Sequence, residues 1–130
     1  MNQNETNKPF DLKERTKLFA LRIIRLYTSL PKSGAGQVLG HQLLRSGTSV
    51  GAQYREGTRA RSSAEFVSKL QSALQELEES RYWLELIVDS GLFAHTRMAE
   101  LIQEADELTA ILTTTVKRKK ENRARSSSDS

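Results

Sequence analysis

The sequence predicts an all-α fold, an antiparallel up-and-down four-helix bundle, and three observations carry the prediction. Four segments repeat apolar residues at steps of three and four, the period of one buried helical face. Proline, glycine and serine punctuate the gaps between them. No segment alternates strictly between apolar and polar as a half-buried strand does, and long helices with short connections pack as a bundle.

The first helix is expected from Asp11 to Leu30, where Leu12, Thr16, Phe19, Ile23, Leu26 and Leu30 form one stripe before Pro31 stops it. Pro31 to Gly36 reads as a turn. The second helix then runs from about Gln37 to Glu56 with a weaker stripe of Leu39, Leu43, Ser46, Val50 and Gln53, and Gly57 is placed to cap it. The third has the clearest start, Ser62-Ser-Ala-Glu65, which has the spacing of a capping box. Phe66, Leu70, Ala73, Leu77, Ser80, Leu84 and Ile87 follow without a slip, and Gly91 ends the helix. The fourth starts near Thr96 and carries Met98, Leu101, Ala105, Leu108, Leu112 and Val116. The chain thus divides into a flexible leader (1–9), a bundle domain (10–116) and a basic tail (117–130). The tail is expected to be disordered, because Ala124 is its one apolar residue.

A chain of 130 residues is long enough to bury a core without covalent staples. The absence of cysteine excludes disulfides and thiolate zinc sites and fits a reducing compartment. With no apolar stretch of signal-peptide or membrane-spanning length, a cytoplasmic location and no membrane partner are expected. The net charge of +4 is unevenly spread: residues 1–61 carry +7, 62–116 carry −7 and 117–130 carry +4. Pairing of basic with acidic helices inside the fold is the simplest way to satisfy that polarity.

Motifs that suggest catalysis lack their context. Gly47-Thr-Ser49-Val-Gly51 matches the G-x-S-x-G of a hydrolase elbow, but it lies in mid-helix rather than on a strand-to-helix turn. Gly34-Ala-Gly36 follows no strand, and neither His41 nor His95 has the glutamate three residues earlier that a di-iron bundle needs. No catalytic residue, metal site or cofactor is assigned.

Other features point to binding. Ser46, Gly47, Thr48, Ser49, Gly51 and Ala52 crowd small side chains into two helical turns, which implies close approach of a neighbouring helix. If the row holding Arg45 is partly buried, Arg45 requires a carboxylate from Glu76, Glu78 or Glu79. Leu21 and Ile24 fall off the first helix's core stripe, and Trp83 broadens the third helix, so these three are assigned to a homo-oligomer interface. Arg22 and Arg25, with Lys117, Arg118, Lys119, Lys120, Arg123 and Arg125 of the tail, are assigned to salt-sensitive binding of RNA or DNA. A protein-binding adaptor that docks an enzyme on helices 1 and 3 is the alternative.

The run from Gln42 to Gly57, with Arg45, Ser46, Ser49, Glu56 and Gly57, followed by Phe66 and by Glu79-Ser-Arg-Tyr-Trp-Leu84, resembles the 23S rRNA intervening-sequence (S23-like) proteins. The resemblance covers roughly residues 15–115 and departs at Ala52-Gln53, where a small residue followed by asparagine is the family pattern. It implies a four-helix bundle assembling as a ring, a pentamer, without enzymatic activity. Related accessory proteins of diversity-generating retroelements, similar in fold, bind nucleic acid and a reverse transcriptase.

Overall fold

The structure is a computed structural model describing residues 11–129, so the expected leader, residues 1–9, lies outside the described residues. It contains four helices: α1 (Leu12–Ser29), α2 (Gly34–Thr58), α3 (Ser63–Asp89) and α4 (His95–Asp129). Local signals start and stop them. Asp11 accepts the Glu14 amide at 3.1 Å and caps α1. Ser62 accepts the Glu65 amide at 3.1 Å, while Glu65 reaches back to the Arg61 amide at 3.0 Å. Gly91, with φ at +79°, closes α3: its amide donates to the Val88 carbonyl at 3.0 Å, and the Leu92 amide to that of Ile87 at 3.1 Å.

Every residue of the stripes expected for α1 and α4 is buried, from Leu12 to Leu30 and from Met98 to Val116. α2 packs on both α1 and α3, α4 packs on α3, and the seam between α1 and α4 is the most sparsely packed of the four. Residue numbers run in opposite directions across these seams. Gly40, Gly47 and Gly51 of α2 face Tyr27, Ile23 and Thr16 of α1, and Arg45 and Glu56 face Glu79 and Lys69 of α3.

The α1–α2 seam is close because α2 lacks side chains there. A Cβ built on Gly47 would lie 2.8 Å from Ile23 Cγ1, and one on Gly51 would lie 3.1 Å from Thr16 Oγ1. Thr16 is fully buried, and its hydroxyl donates to the Leu12 carbonyl at 2.7 Å.

Several expectations are corrected: α2 begins at Gly34, inside the expected turn, and Leu39 and Gln53 of its stripe are only half-buried. Gly57 does not cap α2: the helix continues to Thr58, and Gly57 instead admits Leu70, whose Cδ1 lies 2.7 Å from where a Cβ would stand. Phe66 is only half-buried, and Val67 takes the buried place at the start of α3. The tail from Lys117 is not disordered but continues α4 to Asp129. The extension grows from a helix already nucleated and packed through Val116, so each added residue costs no new nucleus. Lys119 Nζ lies 5.3 Å from the centre of the Phe66 ring, which ties the first turn of the extension to α3.

Candidate nucleic-acid interface

The residues that carry the family resemblance join α2 to α3. Arg45 pairs with Glu76 at 3.2 Å and with Glu79, while Glu78 is exposed and does not pair with it. Glu79 also accepts the Trp83 indole N–H at 3.2 Å. Beneath this surface cluster the Ser80 hydroxyl donates to Ser46 Oγ at 2.8 Å, with both residues fully buried. Ser49 donates to the Arg45 carbonyl at 2.7 Å, and Glu56 pairs with Lys69 at 2.7 Å. With Gly57 against Leu70, all five positions act on α2 or its contact with α3. The Ser49 hydroxyl is therefore engaged within its own helix, and His41 is stacked on Tyr27 with ring centroids 5.5 Å apart. Among the described residues no group of three His, Asp or Glu side chains is placed to hold a metal ion.

Basic and acidic segments meet within the fold. Arg15 of α1 pairs with Glu104 at 2.6 Å and Glu107 at 3.0 Å, and Arg81 of α3 pairs with Asp106 at 3.0 Å. Hydrogen bonding to Glu104 holds the Arg15 guanidinium above its ordinary value, against the opposing effect of its burial. Glu107 is held below the usual carboxylate value by a hydrogen bond from Gln103 and a second from Arg15.

The cations assigned to nucleic-acid binding fall on two separate surfaces. Lys119, Lys120 and Arg123 line a cleft of about 760 Å³ with Ser63 at the start of α3, and an adjoining groove takes in Arg61 and Phe66. Lys117, Arg118 and Arg125 lie exposed on the same helical extension. Arg22 and Arg25 are not brought to this place. They line a groove near the start of α4 with Arg97, about 33 Å from Lys119 at the helical rise per residue. Glu100, Glu104, Asp106 and Glu107 occupy the length of α4 between the two. Arg61, Ser63 and Arg97 were not singled out from the sequence: Arg97 lies in the acidic segment, and its proximity to α1 depends on helix pairing.

Of the residues assigned to an oligomer interface, Leu21 is 37% exposed and Ile24 is 40% exposed, with Leu18 at 44% on the same helix. Trp83 is half-buried against the core and touches the exposed Tyr82, ring centroids 5.3 Å apart. None of the described helices is long and apolar enough to cross a membrane.

Comparison with known proteins accords with this architecture. The family model described as 23S rRNA-intervening sequence protein matches residues 8–114. The chain is also similar to a crystal structure of a protein with unknown function from the S23 ribosomal protein family of Bacteroides thetaiotaomicron VPI-5482. The identity is 36% and the TM-score 0.78, over 82% of this chain and 98% of that one. A comparison with curated proteins finds no match. The family match stops two residues before the last core residue of α4, so the basic helical extension lies outside the matched residues. The matched residues span all of the packed core except Val116, and the chain belongs to the 23S rRNA-intervening sequence protein family.

Proposed function

We propose that this protein is a non-enzymatic, oligomeric four-helix bundle that binds RNA or DNA electrostatically through the basic extension of α4. The observation that carries the reading is the continuation of α4 as a helix beyond the core. It gathers Lys119, Lys120 and Arg123 on one cleft beside Arg61 and the first turn of α3. Helical presentation sets these cations at a fixed spacing.

The opposed runs of contact residues support an antiparallel up-and-down bundle. Ring assembly, as a pentamer, draws its support from the exposed Leu18, Leu21 and Ile24, which a partner copy would cover. Repetition of the cleft around a ring multiplies weak contacts into useful avidity. An adaptor reading, in which a protein such as a reverse transcriptase docks on the bundle, draws on the exposed Tyr82 beside Trp83.

The test is a salt titration of labelled single-stranded RNA with the full chain and with a variant carrying Gln at the six tail cations. Six phosphate contacts give a slope of log affinity against log salt near about −4 for a single strand. The variant is expected to lose most of that slope, and an unchanged slope would refute the reading. Light scattering gives the assembly: a mass several times 14.7 kDa, falling in Leu21→Glu/Ile24→Glu, is expected. A partner retained after nuclease treatment would favour the adaptor.

A further inference from the structure

The α1–α4 seam opens at the end opposite the tail, and three arginines converge there on one groove of about 300 Å³. Arg22 and Arg25 lie one helical turn apart on α1, and Arg97 lies in the first turn of α4. The floor is apolar: Leu26 is 6% exposed and Met98 is 1% exposed. Three like charges around one groove repel one another and call for counter-charge.

The chain supplies little of it. Arg22 reaches Glu100 at 3.8 Å, but that carboxylate is 93% exposed, and so solvated a pair contributes little. Arg97 lies 4.3 Å from the centre of the Phe93 ring, a contact that orients a guanidinium without neutralising it. Arg25 is exposed and has no carboxylate within ion-pair distance among the described residues. The first turn of α4 carries no acidic residue, so its amide ends add positive potential to the same place.

We propose that Arg22, Arg25 and Arg97 form a phosphate-binding groove for the backbone of a single-stranded nucleic acid, separate from the basic end of α4. The inference rests on the nucleic-acid reading above and deepens it by adding a second contact and a preferred strand state. The guanidiniums take the phosphate, and the Arg97–Phe93 pair offers a flat shelf on which an unpaired neighbouring base stacks. The acids along α4 between the two surfaces keep them distinct, so their contributions to binding are separable.

Two measurements on the full chain test this. The first titrates pyrophosphate while following the methyl resonances of Leu26, Met98 and Leu101, which line the groove. Shifts that vanish in Arg22→Gln/Arg25→Gln/Arg97→Gln are expected, and a silent wild type would overturn the groove whatever the outcome with RNA. The second is a salt titration of labelled single-stranded RNA. The triple variant is expected to lose about two units of slope, which is about an 18-fold smaller loss of affinity between 50 and 200 mM salt. If the full chain binds no RNA, the proposed function falls while pyrophosphate still decides the groove. If RNA binds with the same slope in the variant, the groove assignment alone falls, and equal affinity for duplex would remove the base shelf. Melting curves verify that the triple variant folds; should it not, the exposed Arg97→Gln alone is expected to lose about 0.7 of slope.

Discussion

Replacing Gly47 by alanine adds one methyl group where α1 and α2 are closest, and the structure sets the size of the effect. The new Cβ would stand 2.8 Å from Ile23 Cγ1 and 3.1 Å from Cγ2, whereas carbon atoms prefer about 3.5–4.0 Å. Ile23 is fully buried and cannot swing away, so the helices must separate. Overpacking of this kind costs about 1–3 kcal/mol, while removing a glycine from a helix interior returns about 0.5–1 kcal/mol. The balance runs from about zero to a destabilisation of about 2.5 kcal/mol, and Gly47→Leu should exceed it. Urea denaturation at one fixed protein concentration is the assay, since stability in an oligomer depends on concentration. Ile23→Ala is expected to cost about 2–5 kcal/mol by itself, yet it removes both nearest atoms. In that background Gly47→Ala should become neutral or stabilising. Equal destabilisation of both backgrounds by Gly47→Ala would refute the steric account.

Arg15→Met leaves Glu104 half-buried without its partner and should destabilise the fold by about 1–3 kcal/mol near neutral pH. Because Glu107 is held below its ordinary value of 4.5, its share of stability is present above that pH and lost as pH falls through the lower folded value. The difference in Tm between wild type and Arg15→Met should therefore narrow below about pH 4.5, and a constant gap would count against the pairing. Ser80→Ala removes the buried hydroxyl bonded to Ser46 and should cost about 1 kcal/mol by thermal melting. The double variant with Ser46→Ala should cost less than the two single losses together, whereas full additivity would mean the hydroxyls are not coupled. Asn122→Pro keeps every charge of the tail but breaks α4 within it. Circular dichroism should record lost helix and RNA affinity should fall, while unchanged affinity would mean that charge alone suffices.

Much of the bundle is legible in the sequence because helical periodicity depends only on residues close along the chain. The stripes of α1 and α4, the Ser62–Glu65 start and the Gly91 stop are all local patterns, and each stands where its pattern places it. Arg45 is legible in part: a carboxylate on α3 is expected only if its row is partly buried, whereas the structure leaves Arg45 exposed and the helix pairing brings it to Glu76 and Glu79 rather than Glu78. Gly57 misleads for the same reason. Its sequence context suits a cap, and only the nearness of Leu70 reveals that the missing side chain serves packing.

The extension of α4 and the arginine groove separate the two levels most clearly. The composition of residues 117–130 is that of a chain unable to bury a core, yet the preceding core turn and the Lys119–Phe66 contact support a helix that composition cannot foresee. Arg97 lies more than 70 residues from Arg22 and Arg25 along the chain, inside an acidic segment, and nothing local links them. The sequence by itself determined the four amphipathic helices, the punctuation around α1 and α3, and the family, since these rest on neighbours one or two turns apart. Tertiary structure decided which charges pair closely and which stay in solvent beside a groove, since that balance depends on distances between helices.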